Sequence, residues 1–126
     1  MSMINPLARA RGLGSAKSGV HHWYAQRASA VLLILLTGWL IFALISLSGT
    51  GHAEAAAFIA KPGNAAFLSV LIITMFYHAM LGLQVVIEDY VHHPVVEIIL
   101  YFVTRAGAFL CMALGIIHVL KLALGV

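Results

Sequence analysis

The sequence predicts an all-α membrane protein with three transmembrane helices. It has 126 residues, of which 63% are hydrophobic and only 9% are charged. A soluble domain averages about 25% charged residues, so this chain has too few charges to cover a water-facing surface of its size. Disordered chains are poor in apolar residues, and the composition therefore excludes disorder as well. Three long apolar runs separated by polar stretches complete the argument for a membrane protein.

The first two runs are each long enough for a spanning helix, which needs about 20 residues. The first covers about residues 28–47 and the second about residues 65–87, and neither contains an Asp, Glu, Lys or Arg. Glycine and proline mark the loops between them. The alanine-rich residues 53–60 of this connection are expected to form a short interfacial helix.

The third helix is expected over about residues 98–124, with the membrane crossing itself beginning near Ala106. Residues 88–94 are expected to form a tight turn before it. Pro94 has no N–H group, so it fits the first turn of this helix. Glu97 and Arg105 are expected to form an interfacial pair.

The distribution of basic residues predicts a cytoplasmic N-terminus and an external C-terminus. The first loop holds only Lys61, whereas four basic residues precede the first span: Arg9, Arg11, Lys17 and Arg27. The positive-inside rule places such a segment in the cytoplasm. Residues 1–27 contain no acid, so they also resemble a mitochondrial presequence, an alternative to the cytoplasmic tail. The net charge of +3 is not clustered, which excludes nucleic acid as an expected partner.

His78 is the most informative polar residue in the apolar runs. It lies roughly 20 Å from one end of the second span and about 14 Å from the other, too deep to reach water. A neutral imidazole at this depth can ligate a haem iron. The alternative is a histidine hydrogen-bonded to a neighbouring helix. Gly82, one turn away, would let either a flat porphyrin or another helix approach.

Several polar residues near the inner interface have both a functional and an ordinary interpretation. Tyr90 can donate a hydrogen bond to a quinone carbonyl, and Asp89 can orient it or relay a proton. The alternative is an aromatic-belt tyrosine beside a loop acid. Arg27 can pair with a propionate or phosphate through two hydrogen bonds, or it can serve as a positive-inside anchor.

Two residues of the third run complete the set of candidates. His118 would differ from His78 by roughly 9 Å in depth, so a second iron ligand is expected from another subunit. Cys111 is the only cysteine, which excludes an internal disulfide. We interpret it as a small core residue.

These residues form two motifs that resemble the small hydrophobic membrane anchor of bacterial succinate dehydrogenase (respiratory complex II). The interval of 51 residues between Arg27 and His78 also suits that family. Gln26 stands where the other anchor of that complex, a cytochrome b556-type chain, has a histidine before the arginine. The motifs are Gly19-Val20-His21 with Arg27-Ala28, and His78-Ala79 with Gly82, Gln84-Val85 and Asp89-Tyr90.

The resemblance implies a role for each matching residue. His78 would be an axial ligand of haem b, with the second ligand from the cytochrome b556-type anchor. Tyr90 would hydrogen-bond ubiquinone, with Asp89 beside it. Arg27 and His21 would lie near the haem propionates or the quinone pocket. No role for Arg105 or His118 follows from the family.

The resemblance also implies partners and a location. A flavoprotein subunit would oxidise succinate, and an iron–sulfur subunit would pass the electrons to ubiquinone. The chain contains no flavin or iron–sulfur motif, so it would act only as a subunit of the enzyme. The bacterial cell inner membrane is the expected location, with the mitochondrial inner membrane as the alternative. Three other functions stay open: a quinol:fumarate reductase anchor, a non-redox membrane scaffold, and a self-contained b-type cytochrome using His78 and His118.

Overall fold

Four α-helices make up almost all of the described chain. The computed structural model describes residues 19–125, and these contain no strand. In chain order the helices are α1 (Gly19–Ser46), α2 (His52–Ala60), α3 (Pro62–Tyr90) and α4 (Pro94–Leu124). Helices α1, α3 and α4 are long and apolar enough to cross a membrane. The predicted fold class is therefore confirmed. The basic residues at positions 9, 11 and 17, and residues 1–18 of the presequence alternative, lie outside the described residues.

Each long helix covers the predicted apolar run to within one residue and extends beyond it at one end or both. Helix α1 begins at Gly19 rather than near residue 28. The turn expected over residues 88–94 is shorter, because Glu88, Asp89 and Tyr90 are the last residues of α3. Hydropathy detects only the part of a helix that lies in hydrocarbon. The polar ends remain helical because the helix also provides hydrogen bonds for the backbone N–H and C=O groups near the membrane surface.

Prolines and one glycine mark the helix ends. Pro62 and Pro94 occupy the first turns of α3 and α4, as the sequence predicts for Pro94. Gly125 ends α4 in the left-handed conformation, with φ of 72°, which costs glycine no steric strain. The expected short helix is α2, and Asn64 Nδ2 donates a hydrogen bond to the Phe58 carbonyl oxygen at 2.8 Å. This bond ties the end of α2 to the start of α3.

Helix α3 is the centre of the molecule. It packs against α1 on one side and α4 on the other, while α2 contacts α3 and α4. Among the described residues, no Cα atom of α1 comes within 8 Å of one in α4. The three long helices therefore form a row rather than a closed bundle. Their buried side chains are few: Ser29, Leu36, Ala43, Leu71, Thr74, Leu81, Ile87 and Val119.

A row of helices leaves much apolar surface uncovered. Phe42 is 69% exposed on α1, and Phe102 is 72% exposed on α4. Cys111 is also exposed, so its interpretation as a core residue is wrong. Among the described residues, α4 has one long neighbour, α3, and most of its side chains are exposed. Such surfaces suit lipid tails or the helices of another subunit.

Candidate cofactor site

His78 lies where α3 meets α1, and both of its ring nitrogens have partners there. Its Nδ1 is 2.9 Å from Ser29 Oγ, and its Nε2 is 3.3 Å from Gln26 Nε2. The two partners are three residues apart, so they lie on the same face of α1. Within this chain, His78 is thus hydrogen-bonded to a neighbouring helix, which was one of the two interpretations of its depth.

An open groove of about 480 Å³ runs along the α1–α3 interface beside His78. Its α1 wall combines aromatic, amide and basic side chains, and its α3 wall supplies the imidazole. Val85 belongs to the predicted stripe that follows His78 and lines the same groove. The side chains that shape it are His22, Trp23, Gln26, Arg27, Ala30, His78 and Val85.

Two polar atoms of this groove are buried without a hydrogen-bond partner among the described residues. They are His22 Nε2 and Gln26 Oε1. Leaving such an atom unpaired costs about 1–3 kcal/mol. Such atoms are few in native structures, and a water, an ion or a catalytic role can account for them. The groove therefore offers polar atoms that the described residues do not pair.

Arg27 stands at the rim of the groove. Its guanidinium carbon lies 5.8 Å from the centre of the Trp23 ring, a cation–π contact, and the side chain is otherwise exposed. A guanidinium held in this way can still form two hydrogen bonds to one carboxylate. His21, predicted to lie near the same group, is exposed, and it is His22 that lines the groove.

Gly82 lies opposite Gln26. A Cβ atom placed on it would be 3.6 Å from Gln26 Nε2, which is ordinary van der Waals contact. The close approach at Gly82 is thus to helix α1, one of the two partners that the sequence left open.

Tyr90 and Asp89 end α3 on the same side of the molecule as the start of α1. Tyr90 is 79% exposed, and Asp89 is exposed beside it. Twelve residues separate Tyr90 from His78, which is about 18 Å along a helix. The structure therefore places the two predicted quinone residues together, at the end of the molecule and away from His78.

Arg105 takes part in a second polar cluster, between α3 and α4. It donates a hydrogen bond to Gln84 Oε1 at 3.3 Å, and its guanidinium lies 5.5 Å from the centre of the Tyr101 ring. Glu88 accepts hydrogen bonds from Gln84 at 2.9 Å and from Tyr101 at 3.1 Å. The expected pair of Arg105 with Glu97 is not formed between these two described residues. Helix α3 supplies a nearer acceptor for Arg105, and the cluster joins α3 to α4.

His118 is far from His78. It is exposed, and its Nδ1 is 2.7 Å from the Leu114 carbonyl oxygen of its own helix. Gly115 contacts Ile72 across the antiparallel α3–α4 interface. That contact puts His118 about nine residues, or about 14 Å, from the level of His78. The two histidines cannot approach the same iron from opposite sides in this arrangement.

The comparison with known proteins assigns the family. The family described as "Succinate dehydrogenase/Fumarate reductase transmembrane subunit" matches residues 1–115. The chain belongs to this family. Its membership confirms the resemblance inferred from the two motifs.

Curated relatives agree with the family. A succinate dehydrogenase hydrophobic membrane anchor subunit of Rickettsia bellii is 41% identical over 85 residues, covering 68% of both chains. The protein of the same name from Paracoccus denitrificans is 31% identical over 71% of this chain and 70% of its own. A succinate dehydrogenase membrane anchor subunit of Reclinomonas americana is 30% identical over 73% and 79% of the two chains. The chain is therefore a membrane anchor of an oxidoreductase complex.

The α1 residues that contact His78 do not stand out in the sequence. Ser29 and Gln26 were not expected there, and His22 was given no role of its own. One clue to Ser29 was available, since it is a hydroxyl residue in an otherwise apolar span, and polar groups in spans generally have partners.

Proposed function

We propose that this chain anchors a succinate:ubiquinone oxidoreductase, supplying one axial ligand to haem b and part of the ubiquinone site. The family and the named relatives support the anchor role. One observation carries the haem role. His78 lies deep in the α1–α3 interface beside a groove that holds Arg27 and two unpaired buried polar atoms.

The residues of the groove fit a haem. His78 Nε2 would ligate the iron, taking the place of its 3.3 Å contact with the Gln26 amide. Arg27 and His22 would hold the propionates, since a guanidinium and an imidazole both suit carboxylates. When bound, haem b supplies one-electron redox chemistry. The chain itself orients the imidazole and limits access of water.

A second anchor chain would complete the site. The groove is open on its outer side, and His118 is too far away to supply the other ligand. We therefore assign that ligand to a cytochrome b556-type anchor, which would cover the exposed apolar faces of the row. The flavoprotein and iron–sulfur subunits would bind at the end that bears Tyr90.

Tyr90 and Asp89 are our candidates for ubiquinone binding. Their exposed position at the end of α3 leaves the phenol free to donate a hydrogen bond to a quinone carbonyl. Asp89, next to it in the chain, would orient the phenol or relay a proton.

The relatives and the basic N-terminal segment support our proposals for the location of the complex and the direction of its reaction. We place the complex in a bacterial cell inner membrane with the N-terminus in the cytoplasm. The family also includes fumarate reductase subunits. The relatives above bear the succinate dehydrogenase name, which favours succinate oxidation over fumarate reduction.

The haem assignment is tested in the complex purified through this chain. We expect His78→Ala to change the optical and electron paramagnetic resonance spectra of the haem, because one axial nitrogen is removed. His118→Ala is the matched control. It removes an exposed histidine on α4 and should leave the low-spin signal intact.

The possible results separate the alternatives. A change with His118→Ala but not with His78→Ala would reverse the ligand assignment. A complex that contains no haem at all, with the wild-type chain present, would favour the non-redox scaffold. Haem bound to the purified chain without partners would favour the self-contained cytochrome.

A further inference from the structure

We propose that Ser29 is a positioning residue for His78: its hydroxyl oxygen accepts the Nδ1–H and thereby leaves the lone pair on Nε2 for the iron. The inference rests on the proposed haem function, which assigns a role to His78 but none to Ser29. Three atoms support it: Ser29 Oγ and the two ring nitrogens of His78. Their hydrogen bonds allow one consistent placement of the protons.

The single proton of the Ser29 hydroxyl points to the Gln26 carbonyl oxygen. Ser29 Oγ lies 3.0 Å from the carbonyl oxygen of Gln26, one turn back in the same helix. A carbonyl oxygen can only accept, so the hydroxyl donates its proton there. The alternative, donation to His78, would leave two acceptor oxygens 3.0 Å apart with no proton between them.

The Ser29 oxygen then fixes the tautomer of the His78 imidazole. With its proton committed, Ser29 Oγ can only accept at its 2.9 Å contact with His78 Nδ1, so Nδ1 carries the hydrogen. A neutral imidazole has one donor and one acceptor nitrogen, which makes Nε2 the acceptor. The Gln26 amide nitrogen, a donor, lies 3.3 Å from Nε2 and agrees with this assignment.

The two partners of His78 differ in the ring nitrogen that each one contacts. The Gln26 contact occupies the nitrogen that would bind iron, so it would be exchanged for the metal. The Ser29 contact is on the other nitrogen and would persist. Ser29 is 7% exposed and is one of two buried polar residues in the described chain. A hydrogen bond sheltered in this way is stronger than one in water.

The bond has a consequence for the haem. Histidine ligands usually donate their second N–H to a nearby acceptor, which fixes the ring and raises its basicity. A more basic imidazole favours the ferric over the ferrous state. Removing the acceptor should therefore raise the reduction potential of the haem.

The experiment is a redox titration of the haem absorbance in the purified complex with Ser29→Ala. Loss of such an outer contact typically changes metal affinity by 10- to 100-fold. We expect the preference for ferric iron to fall by about tenfold, a rise of about 59 mV for one electron. The haem content should be retained and the low-spin resonance should shift, because the ring is less well oriented.

Three further variants give the comparison its controls. Ser29→Thr keeps the hydroxyl and should retain the wild-type potential. Ser29→Cys keeps the shape of the side chain but accepts hydrogen bonds weakly, so the haem potential should rise in this variant as well. It replaces Ser29→Ala as the test if the alanine variant does not assemble. Ser46→Ala removes a similar bond, from Ser46 Oγ to the Ala43 carbonyl oxygen at 2.8 Å, away from His78. It should leave the potential unchanged.

Failure of this inference differs from failure of the proposed function. An unchanged potential in Ser29→Ala or Ser29→Cys, in a complex whose haem spectrum does respond to His78→Ala, would overturn the role of Ser29 alone. A haem spectrum that is insensitive to His78→Ala would overturn the ligand assignment, and the role of Ser29 with it.

Discussion

A histidine in the middle of an apolar helix must find partners for two ring nitrogens where no water is available. His78 finds them in Ser29 and Gln26, and each contact uses a different nitrogen. An unpaired polar group in hydrocarbon would cost several kcal/mol. The polar first half of α1 therefore matches the position of His78.

Tyr90 allows a test at the level of a single oxygen atom. Tyr90→Phe keeps the ring and removes the donor, and the residue is 79% exposed, so the fold should not change. Loss of one hydrogen bond costs about 0.5–1.5 kcal/mol. Ubiquinone reduction should slow by roughly two- to tenfold. Succinate oxidation with an artificial acceptor at the soluble subunits should persist.

A neighbouring tyrosine supplies the control for this variant. Tyr24 is 69% exposed near the start of α1, at the same end of the molecule. Tyr24→Phe should leave quinone kinetics unchanged. Equal rates of ubiquinone reduction for Tyr90→Phe and the wild type would favour the interpretation of Tyr90 as an aromatic-belt residue.

The sequence predicts that the three long helices form, but it does not predict which side of each helix faces its neighbour. Runs of apolar residues identified the three spans because length and hydropathy are enough for that. These helices are apolar on almost every side, so no amphipathic pattern shows which face meets which neighbour. The contact of Ser29 with His78 depends on the rotation of α1 about its axis. That rotation is set by side-chain packing between residues about 50 positions apart, which a local pattern does not contain.

Gly115 shows how closely α3 and α4 approach. A Cβ atom at this position would lie 2.9 Å from Ile72 Cγ2. Gly115→Ala should lower the thermal unfolding midpoint of the complex, because overpacking costs about 1–3 kcal/mol. Alanine regains roughly 0.5–1 kcal/mol of helix stability, which offsets only part of this cost.

Two further measurements separate packing from helix propensity. Gly107 lies in the same helix with no atom within 4 Å of its Cβ position, so Gly107→Ala should not lower the midpoint. Ile72→Ala removes the clashing atoms, and the double variant should recover stability relative to the sum of the two single changes. Additive effects would show that Ile72 is not the obstacle.

The described helices do not enclose a packed core of their own. Only eight described residues are buried, and large side chains such as Ile45, 70% exposed, lie along the outer faces of the row. Lipid can cover part of this surface. The groove beside His78 also has polar atoms to satisfy, which lipid tails cannot do. That combination predicts a second protein chain against α1 and α3.

Purification tests this expectation directly. We expect the chain to co-purify with three other polypeptides: a flavoprotein, an iron–sulfur protein and a second anchor. Polypeptide bands and the flavin and haem absorbance of the purified material would identify them. Recovery of this chain alone, stable in detergent and with both axial positions of a haem filled, would contradict the assignment of a partner ligand.

The row of helices also has a consequence for biosynthesis. The two described residues that hydrogen-bond to His78 both belong to α1, and no part of α4 takes part in these bonds. The chain is made from its N-terminus, so α1 and α3 precede α4. These two helices can therefore pair, and Ser29 and Gln26 can shelter the imidazole, before α4 packs against the other side of α3.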